Sequence, residues 1–427
     1  MIYYYLLINE MRLGFDMQKQ NKKLYGNAVV GQSGGPTSVI NATLTGVIKA
    51  CFKASEISTV YGMKNGMEGL LKENLIELSS VFSDKDALSL LSVTPASALG
   101  SCRLRLPNPK EDESVYERLL AIFKKYNIRY FFYIGGNDSM DTVSKINAYL
   151  KNNEYEMRVV GVPKTIDNDL VITDHTPGYG SSAKLIATAV REIAHDVSVY
   201  TVTSVTIVEL MGRDAGWLTA ASALSKNYGG YGADLVYLPE VSFDKERFLN
   251  DVREQLKKHS SALICVSEGI KYANGQYVSS TIDGGDSFNH KYFDGVGKVL
   301  ENMVRNEIGC KVRSLQLSLL QRCSAHILSK TDVSESFRIG KASVELSIKG
   351  YSGFMAVFER LEGDYRVKIK PVDVDLVANK VKNVPRDFIN KQGNNVTKKC
   401  IEYITPLILG EKNIKYENGM PNYFRFK

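Results

Sequence analysis

Two short polar strings, each directly after an apolar run, combine residue types suited to handling phosphate groups. The string GGNDS occupies positions 135–139 after the run YFFYI at 130–134, and PKTIDND occupies 163–169 after VVGV at 159–162. Glycine-rich turns present backbone N–H groups to anions, carboxylates accept protons, and lysine neutralises phosphate charge. Together the strings hold three carboxylates and one lysine, which is the set that phosphoryl transfer needs.

Within PKTIDND, Asp167 and Asp169 are the candidate catalytic carboxylates. Side chains alternate along an extended chain, so in a strand-like segment both carboxylates would point to one side. Two close carboxylates push their pKa values apart, which lets one act as a base toward a hydroxyl while the other stays charged. Lys164 adds a mobile cation suited to phosphate. The competing interpretation is a solvated acidic turn.

GGNDS is a Gly-Gly turn at a strand end, and it has two interpretations. Asp138 or Ser139 could serve only as the N-cap of the next helix. Alternatively, Asp138 lies beside a phosphate or a metal ion. An earlier pair, Gly34 and Gly35, precedes Pro36, which suits the first turn of a helix, so this helix would bind an anion at its N-terminus. The alternative for this pair is a tight structural turn.

Three more polar residues follow apolar runs farther along the chain. Arg213 ends the string MGR at 211–213 and could stabilise charge on a transferring phosphoryl group. Glu268 could accept hydrogen bonds from a polyol, and Arg322 could bind a substrate phosphate. The alternatives are a surface exit for Arg213, a surface carboxylate for Glu268 and a structural salt bridge for Arg322.

The elements that must position these residues follow from the apolar pattern. Strand-like runs alternate with helical stripes almost throughout the chain. A βαβα order implies doubly wound parallel sheets, in which ligands bind beyond the carboxyl ends of the strands. We therefore predict an α/β fold of two Rossmann-like lobes with parallel sheets and a cleft between the lobes.

Composition narrows the class of partner. The chain has 427 residues, 44% hydrophobic and 24% charged, as in soluble globular proteins of two or three domains. Its net charge of +7 is modest and scattered, so we expect an anionic small substrate and no nucleic acid.

Six cysteines without a CxxC, and histidines without metal-ligand spacing, indicate reduced thiols in the cytoplasm. The apolar start is shorter than the ~17–25 residues of a membrane span, so no membrane partner is expected.

Taken in order along residues 25–360, these strings resemble the phosphofructokinase family. The resemblance rests on Gly34 and Gly35, LGSCR at 99–103, GGNDS, PKTIDND, MGR, Glu268, and Gln321 with Arg322. It implies Mg²⁺-dependent transfer of a phosphoryl group to the 1-hydroxyl of fructose 6-phosphate, a glycolytic reaction. It also implies a homodimer or homotetramer.

Asp138 and Lys164 discriminate between phosphoryl donors. ATP-dependent members of the family typically carry Gly at the first position and often at the second, whereas this pair resembles the pyrophosphate-dependent branch. The Asp138 carboxylate would repel the α-phosphate of ATP, and Lys164 would neutralise pyrophosphate. The resemblance therefore implies a reversible reaction with pyrophosphate. An ATP-dependent kinase is the alternative, and a non-catalytic regulatory subunit is a less favoured one.

The resemblance also implies a role for each motif residue. The catalytic group is Asp167, as proton acceptor from the sugar hydroxyl, with Lys164, Arg213 and Asp138. The sugar phosphate is bound by Thr165, Ile166, Asp169, Met211, Gly212, Glu268, Gln321 and Arg322. The diphosphate is bound by Gly34, Gly35, Arg103, Gly136 and Ser139, and the metal by Asn137 and Asp138.

The implied domain organisation has an N-terminal extension at 1–23 and a C-terminal tail at 396–427. Between them lie a phosphoryl-donor-binding lobe at 24–178, completed by about 335–395, and a sugar-phosphate-binding lobe at 179–334.

Three residues depart from the family pattern. Asn137 replaces the usual metal-binding Asp, and a neutral amide is a weaker Mg²⁺ ligand. Asp138, Asp167 or phosphate oxygens are then the alternative ligands. Ser204 stands where many ATP-dependent members have an Arg, and Leu319 stands where a Tyr is common in the pyrophosphate-dependent branch.

Overall fold

The computed structural model describes residues 23–82, 85–227, 229–285 and 291–426. The predicted extension at 1–23 therefore lies outside the described residues except for Lys23. The strands are β1 (Gly26–Gln32), β2 (Ile57–Met63), β3 (Leu75–Glu77), β4 (Ile128–Gly135), β5 (Arg158–Pro163), β6 (Ser204–Leu210), β7 (Leu235–Tyr237), β8 (Ser261–Ser267), β9 (Ser280–Gly285), β10 (Lys291–Asp294), β11 (Lys311–Gln316), β12 (Phe354–Arg360), β13 (Val367–Asp373), β14 (Tyr416–Glu417) and β15 (Met420–Pro421). The α-helices are α1 (Ile40–Cys51), α2 (Gly66–Leu71), α3 (Leu78–Val81), α4 (Lys85–Leu91), α5 (Ser114–Lys125), α6 (Asn137–Asn152), α7 (Tyr179–Ser198), α8 (Trp217–Ala221), α9 (Lys245–Lys258), α10 (Val296–Ile308), α11 (Leu320–Cys323), α12 (Lys330–Ile348) and α13 (Lys398–Ile404).

The larger sheet has the strand order β13-β12-β5-β4-β1-β2-β3. Its interior pairs are parallel, and only the edge strands β13 and β3 run antiparallel to their neighbours. The central strands are covered on both faces, which explains why β4 and β5 read as nearly continuous apolar runs. β12 and β13 join this sheet after the chain has passed through the second lobe.

The smaller sheet has the order β11-β6-β8-β7, and all its pairs are parallel. It forms the second lobe, with α10 packed against β6 and β11 and α9 against β8. The two sheets confirm the predicted α/β fold of two lobes with parallel sheets. In both lobes the strands end in loops that face a shared cavity, as expected for doubly wound folds.

Helices α1 and α12 make the densest helix contact of the first lobe. Glycine permits this approach, because a Cβ on Gly46 would lie 2.1 Å from the Phe337 carbonyl oxygen. A Cβ on Gly340 would lie 2.2 Å from the carbonyl oxygen of Thr43. The two backbones therefore touch where they cross.

The C-terminal segment packs on both lobes. Ile404 and Leu407 lie in the core of the second lobe. Phe424 and Phe426 pack against the first-lobe core, and the ring centroids of Phe424 and Phe82 are 5.0 Å apart. Within the described residues, no helix is both long enough and apolar enough to cross a bilayer.

Candidate active site

A cavity of about 530 Å³ lies between the lobes, at the carboxyl ends of both sheets. Nearly every residue named from the sequence lines it. The lining includes Gly34, Gly35, Arg103, Gly136, Asn137, Asp138, Ser139, Lys164, Thr165, Ile166, Asp167, Asp169, Met211, Gly212, Arg213, Glu268 and Arg322.

Gln321 is the predicted binding residue that lies outside this lining. Its buried side chain accepts a hydrogen bond from the Met211 backbone N–H at 3.1 Å and donates one to the Ser318 carbonyl. Gln321 therefore orients Met211 from behind and does not face the cavity. Ser204, at the first residue of β6, and the exposed Leu319 also lie outside the lining.

The segment that carries Asp167 and Asp169 is not extended, so the prediction that alternating side chains place both carboxylates on one side is wrong. β5 ends at Pro163, and Asn168 adopts the left-handed conformation with φ of 53°. The Asn168 amide is held at both ends, because its oxygen accepts from the Thr176 N–H and its nitrogen donates to the Tyr403 hydroxyl. A tight turn, not a strand, thus brings both carboxylates to one cavity.

The two carboxyl groups differ in their surroundings. Burial raises the pKa of Asp167, although the Thr165 hydroxyl, which donates to its carboxylate at 3.2 Å, and the charge of Lys164 oppose the rise. Burial and the negative charge of Asp167 together raise the pKa of Asp169 to about 7. The pair therefore carries an exchangeable proton near neutral pH, which suits acid–base chemistry.

Lys164 is buried and hydrogen-bonded to the backbone, so the expectation of a mobile cation is wrong. Its ammonium donates to the carbonyl oxygens of Ser33 at 2.8 Å and Gly35 at 2.6 Å. Burial lowers its pKa to about 8, against the pull of Asp167 and Asp169. Lys164 therefore ties the glycine turn to the carboxylate segment and places a cation between them.

The turn at Gly34 and Gly35 does not open a helix, which corrects the expectation for Pro36. α1 begins only at Ile40, so the dipole of that helix does not act at the turn. Gly34 adopts φ of +70°, and a Cβ on Gly35 would lie 3.3 Å from Nη1 of Arg322. The positive φ favours glycine at position 34, and at position 35 the end of this arginine leaves little room for a side chain.

The GGNDS string does open a helix. α6 begins at Asn137, with Gly136 as its N-cap and Asp138 in its first turn. Neither Asp138 nor Ser139 is the N-cap, so that interpretation is wrong. The first N–H groups of α6 and the positive end of its dipole face the cavity and can hold an anion.

Asn137 uses both ends of its side chain on the backbone of a distant segment. Its nitrogen donates to the Lys380 carbonyl at 2.6 Å, and its oxygen accepts from the Asn379 N–H at 2.5 Å. These two bonds explain why an amide suits this position, since a carboxylate could not donate to Lys380.

The second lobe contributes a cation and a carboxyl group. Nε and Nη1 of Arg213 are buried without a hydrogen-bond partner among the described residues, which marks a place for an anion. Glu268 accepts from the Gly212 N–H at 3.4 Å. Burial raises the pKa of Glu268 to about 7, although the charge of Arg213 opposes the rise.

Sequence reasoning missed several lining residues: Ser33, Pro36, Asp214, Ala215, Asn379 and Val381. Four of them flank motifs that were identified, and proximity in sequence could have found them. Asn379 and Val381 come from a segment with no recognisable motif, more than 200 residues beyond Asn137, and only the fold brings them to the cavity.

A divalent cation could bind here only with help from substrate. Among the residues that the structure describes, no group of three or more His, Cys, Asp and Glu side chains could hold a metal by itself. Mg²⁺ is commonly held by one or two carboxylates together with substrate phosphates. Asp138, on the cavity wall and beside the N-terminus of α6, fits such a shared site.

The fold and this cavity define a phosphoryl-transfer protein of the two-lobed α/β type. The family model described as phosphofructokinase matches residues 27–347, and the chain belongs to this family.

Similar proteins are known from several bacteria. The chain is 41% identical over 406 residues to the pyrophosphate--fructose 6-phosphate 1-phosphotransferase of Xanthomonas campestris pv. campestris, covering 94% of this chain and 96% of the relative. It is 40% identical over 399 residues to the protein of the same name from Halomonas elongata, covering 92% and 94%. The crystal structure of a pyrophosphate-dependent phosphofructokinase from Nitrosospira multiformis superimposes with a TM-score of 0.85 at 39% identity, covering 93% and 95%.

Proposed function

We propose that this protein transfers a phosphoryl group from pyrophosphate to the 1-hydroxyl of fructose 6-phosphate, giving fructose 1,6-bisphosphate and phosphate. The reaction is reversible and belongs to glycolysis. The observation that carries the proposal is that Asp138 and Lys164 line the same cavity as Asp167 and Asp169. The names of the relatives agree with this assignment.

Asp167 is the proposed base. It accepts the proton of the 1-hydroxyl while that oxygen attacks the nearer phosphorus, and the bond from this phosphorus to the bridging oxygen breaks to release phosphate. The Thr165 hydroxyl holds the Asp167 carboxylate in place. Arg213 and Lys164 then stabilise the charge that develops on the transferring group.

The substrates divide between the two walls of the cavity. The sugar phosphate is bound by Met211, Gly212, Glu268 and Arg322, together with Thr165, Ile166 and Asp169. The diphosphate is bound by Gly34, Gly35, Arg103, Gly136 and Ser139. Gln321 contributes by orienting Met211.

Mg²⁺ is the proposed cofactor, with Asp138 and pyrophosphate oxygens as its ligands. When bound, the ion neutralises the charge of the pyrophosphate oxygens. The two bonds of Asn137 to the Asn379 and Lys380 backbone favour Asp138 over Asn137 as the protein ligand.

The proposed lobes are a donor-binding lobe at 24–178, completed by about 335–395, and a sugar-phosphate-binding lobe at 179–334. Pairing of β12 with β5 supports the return of the chain to the first lobe. We also propose a homodimer or homotetramer in the cytoplasm. The cytoplasm fits six free cysteines and phosphorylated substrates.

The donor is tested with purified protein, fructose 6-phosphate and Mg²⁺. We expect turnover with pyrophosphate and little or none with ATP. Robust ATP turnover without pyrophosphate turnover would instead support the ATP-dependent alternative. Inactivity with both donors would favour the non-catalytic subunit.

The Asp138→Gly variant tests why pyrophosphate is chosen. Removing the carboxylate removes the repulsion toward an α-phosphate, so ATP turnover should become measurable while pyrophosphate turnover falls at least about tenfold. Asp364→Asn, an exposed aspartate in the turn between β12 and β13, serves as the control. An Asp138→Gly variant that gains no ATP turnover would contradict the blocking role.

A further inference from the structure

A short segment at residues 379–382, here called the strap, contributes Asn379 and Val381 to the cavity wall. At one end it is held by α6, through Asn137 and through the amide of Asn379, which donates to Asp141 at 3.0 Å. At the other end the Lys382 N–H donates to the Asp169 carbonyl at 2.7 Å. The strap therefore joins the N-terminus of α6 directly to the carboxylate segment.

The Lys382 ammonium makes all its hydrogen bonds with residues 168–174, the stretch that begins in the carboxylate segment. It donates to the Asp174 carbonyl at 2.9 Å, to the Thr173 carbonyl at 3.1 Å and to the Asn168 side-chain oxygen at 3.4 Å. An ammonium has three donors, and these three acceptors use them all. Lys382 is therefore not available to bind substrate, and its cation acts on the protein itself.

Lys382 contacts the residue at the centre of the turn that carries the two carboxylates. Asn168 has φ of 53°, a left-handed conformation that asparagine tolerates, and both ends of its side chain are held by hydrogen bonds in that turn. Asn168 lies between Asp167 and Asp169, so its conformation sets the direction of both carboxylates. Lys382 reaches this turn twice, through the Asn168 side chain and through the Asp169 backbone.

We propose that Lys382 is a positioning residue for the carboxylates of Asp167 and Asp169, with Asn137 anchoring the far end of its strap. The proposal rests on the phosphoryl transfer proposed above. It assigns a role in the reaction to a residue that lies outside the cavity lining and outside every motif of the sequence.

The strap also contacts the only tryptophan of the sequence. Trp217 Nε1 donates to the Lys382 carbonyl at 2.8 Å, and the Lys382 ammonium lies 5.2 Å from the centre of the indole. Tryptophan emission therefore reports on Lys382 independently of activity.

The test compares Lys382→Met, Lys382→Arg and Lys380→Met with the wild type. Lys380 is the matched control, since it is exposed and its ammonium donates to the Leu376 carbonyl. Lys382→Met should lower kcat about 10–100-fold, because a misplaced carboxylate is costly, while KM for pyrophosphate changes less than about threefold. Lys382→Arg should recover part of kcat, and Lys380→Met should match the wild type. Trp217 emission should shift in Lys382→Met only.

Several results would overturn the proposal. A folded Lys382→Met protein with wild-type kcat would do so even if its emission shifts, because the contact would then be structural only. A raised KM with unchanged kcat would indicate substrate binding. If Lys382→Met does not fold, as judged by circular dichroism, Asn137→Ala tests the other anchor, because alanine removes both bonds to the strap without adding a metal ligand. It should lower kcat about tenfold, and an unchanged kcat would reject the strap.

The wild-type assay separates this proposal from the proposed function. Turnover with ATP instead of pyrophosphate would overturn the donor assignment, and the ratio of variant to wild type would still judge Lys382. Wild-type protein inactive with both donors would overturn both inferences.

Discussion

At the scale of single residues, the site works through unequal environments for similar groups. Asp167 accepts a hydrogen bond from the Thr165 hydroxyl and lies near three cations, Lys164, Arg213 and Arg322, whereas burial and the charge of Asp167 raise the pKa of Asp169 to about 7. Lys164 is fixed on two carbonyls, and Arg213 keeps two buried donors without a partner among the described residues. Both cations line the cavity, but the protein holds the Lys164 ammonium in place, whereas the two Arg213 donors are left for an anion.

The Asp167→Asn variant tests the proposed base. Asparagine keeps the size and the hydrogen bond from Thr165 but cannot accept the proton, so kcat should fall about 10²–10⁴-fold. Circular dichroism and thermal unfolding should stay close to the wild type. Asp364→Asn is again the control for loss of one exposed carboxylate. A kcat for Asp167→Asn within tenfold of the wild type would refute the assignment.

At the scale of elements, residues far apart in sequence position the catalytic loops. Strong apolar runs followed by glycine turns made β4, β5 and their loops predictable, because buried parallel strands need such runs. The start of α1 was not predictable, since Pro36 is compatible with a helix start that the chain does not use. The turn at Asn168 was equally hidden, because contacts from Thr176, Tyr403 and Lys382 stabilise it.

The crossing of α1 and α12 gives a prediction at this scale. Gly340→Val would press a side chain into the Thr43 carbonyl, so the free energy of unfolding should fall by at least about 2–4 kcal/mol. Lys341→Val, at the adjacent exposed position, introduces the same side chain without the clash and should cost less than about 1 kcal/mol. Equal effects in urea unfolding would show that the helix crossing is not close-packed.

At the scale of the whole molecule, a buried charge cluster joins the segment between the lobes to α12 and β12. His175 contacts Asp174 at 2.9 Å and Glu335 of α12 at 2.8 Å, and Arg360 of β12 also donates to Asp174. Burial alone would lower the pKa of His175, but these two hydrogen bonds outweigh it and raise the pKa to about 9. The charged histidine therefore stabilises the fold at neutral pH.

The cluster predicts how stability changes with pH. A histidine whose pKa rises on folding contributes fully below about pH 6.5 and loses its contribution as pH rises through 9. This loss is of the order of 3 kcal/mol between pH 6 and 9. Asp169, Glu268 and Lys164 also titrate near this range, so the contribution of His175 is the difference between variants. Urea unfolding at both pH values should show a larger loss in the wild type and in His259→Gln, an exposed control, than in His175→Gln, and the difference should match the loss given above. A similar pH dependence in His175→Gln would remove His175 as its source.

The sequence by itself determined the α/β class, the strands that lead into the site and the set of chemical groups, because apolar periodicity and strand-end loops are local properties of the chain. The tertiary structure decided what each group does. Lys164 became a fixed cation, Gln321 a support for Met211, and Asn137 an anchor for the strap. These roles depend on contacts between residues up to about 240 positions apart, such as Asn137 with Lys380, and no local pattern encodes such contacts.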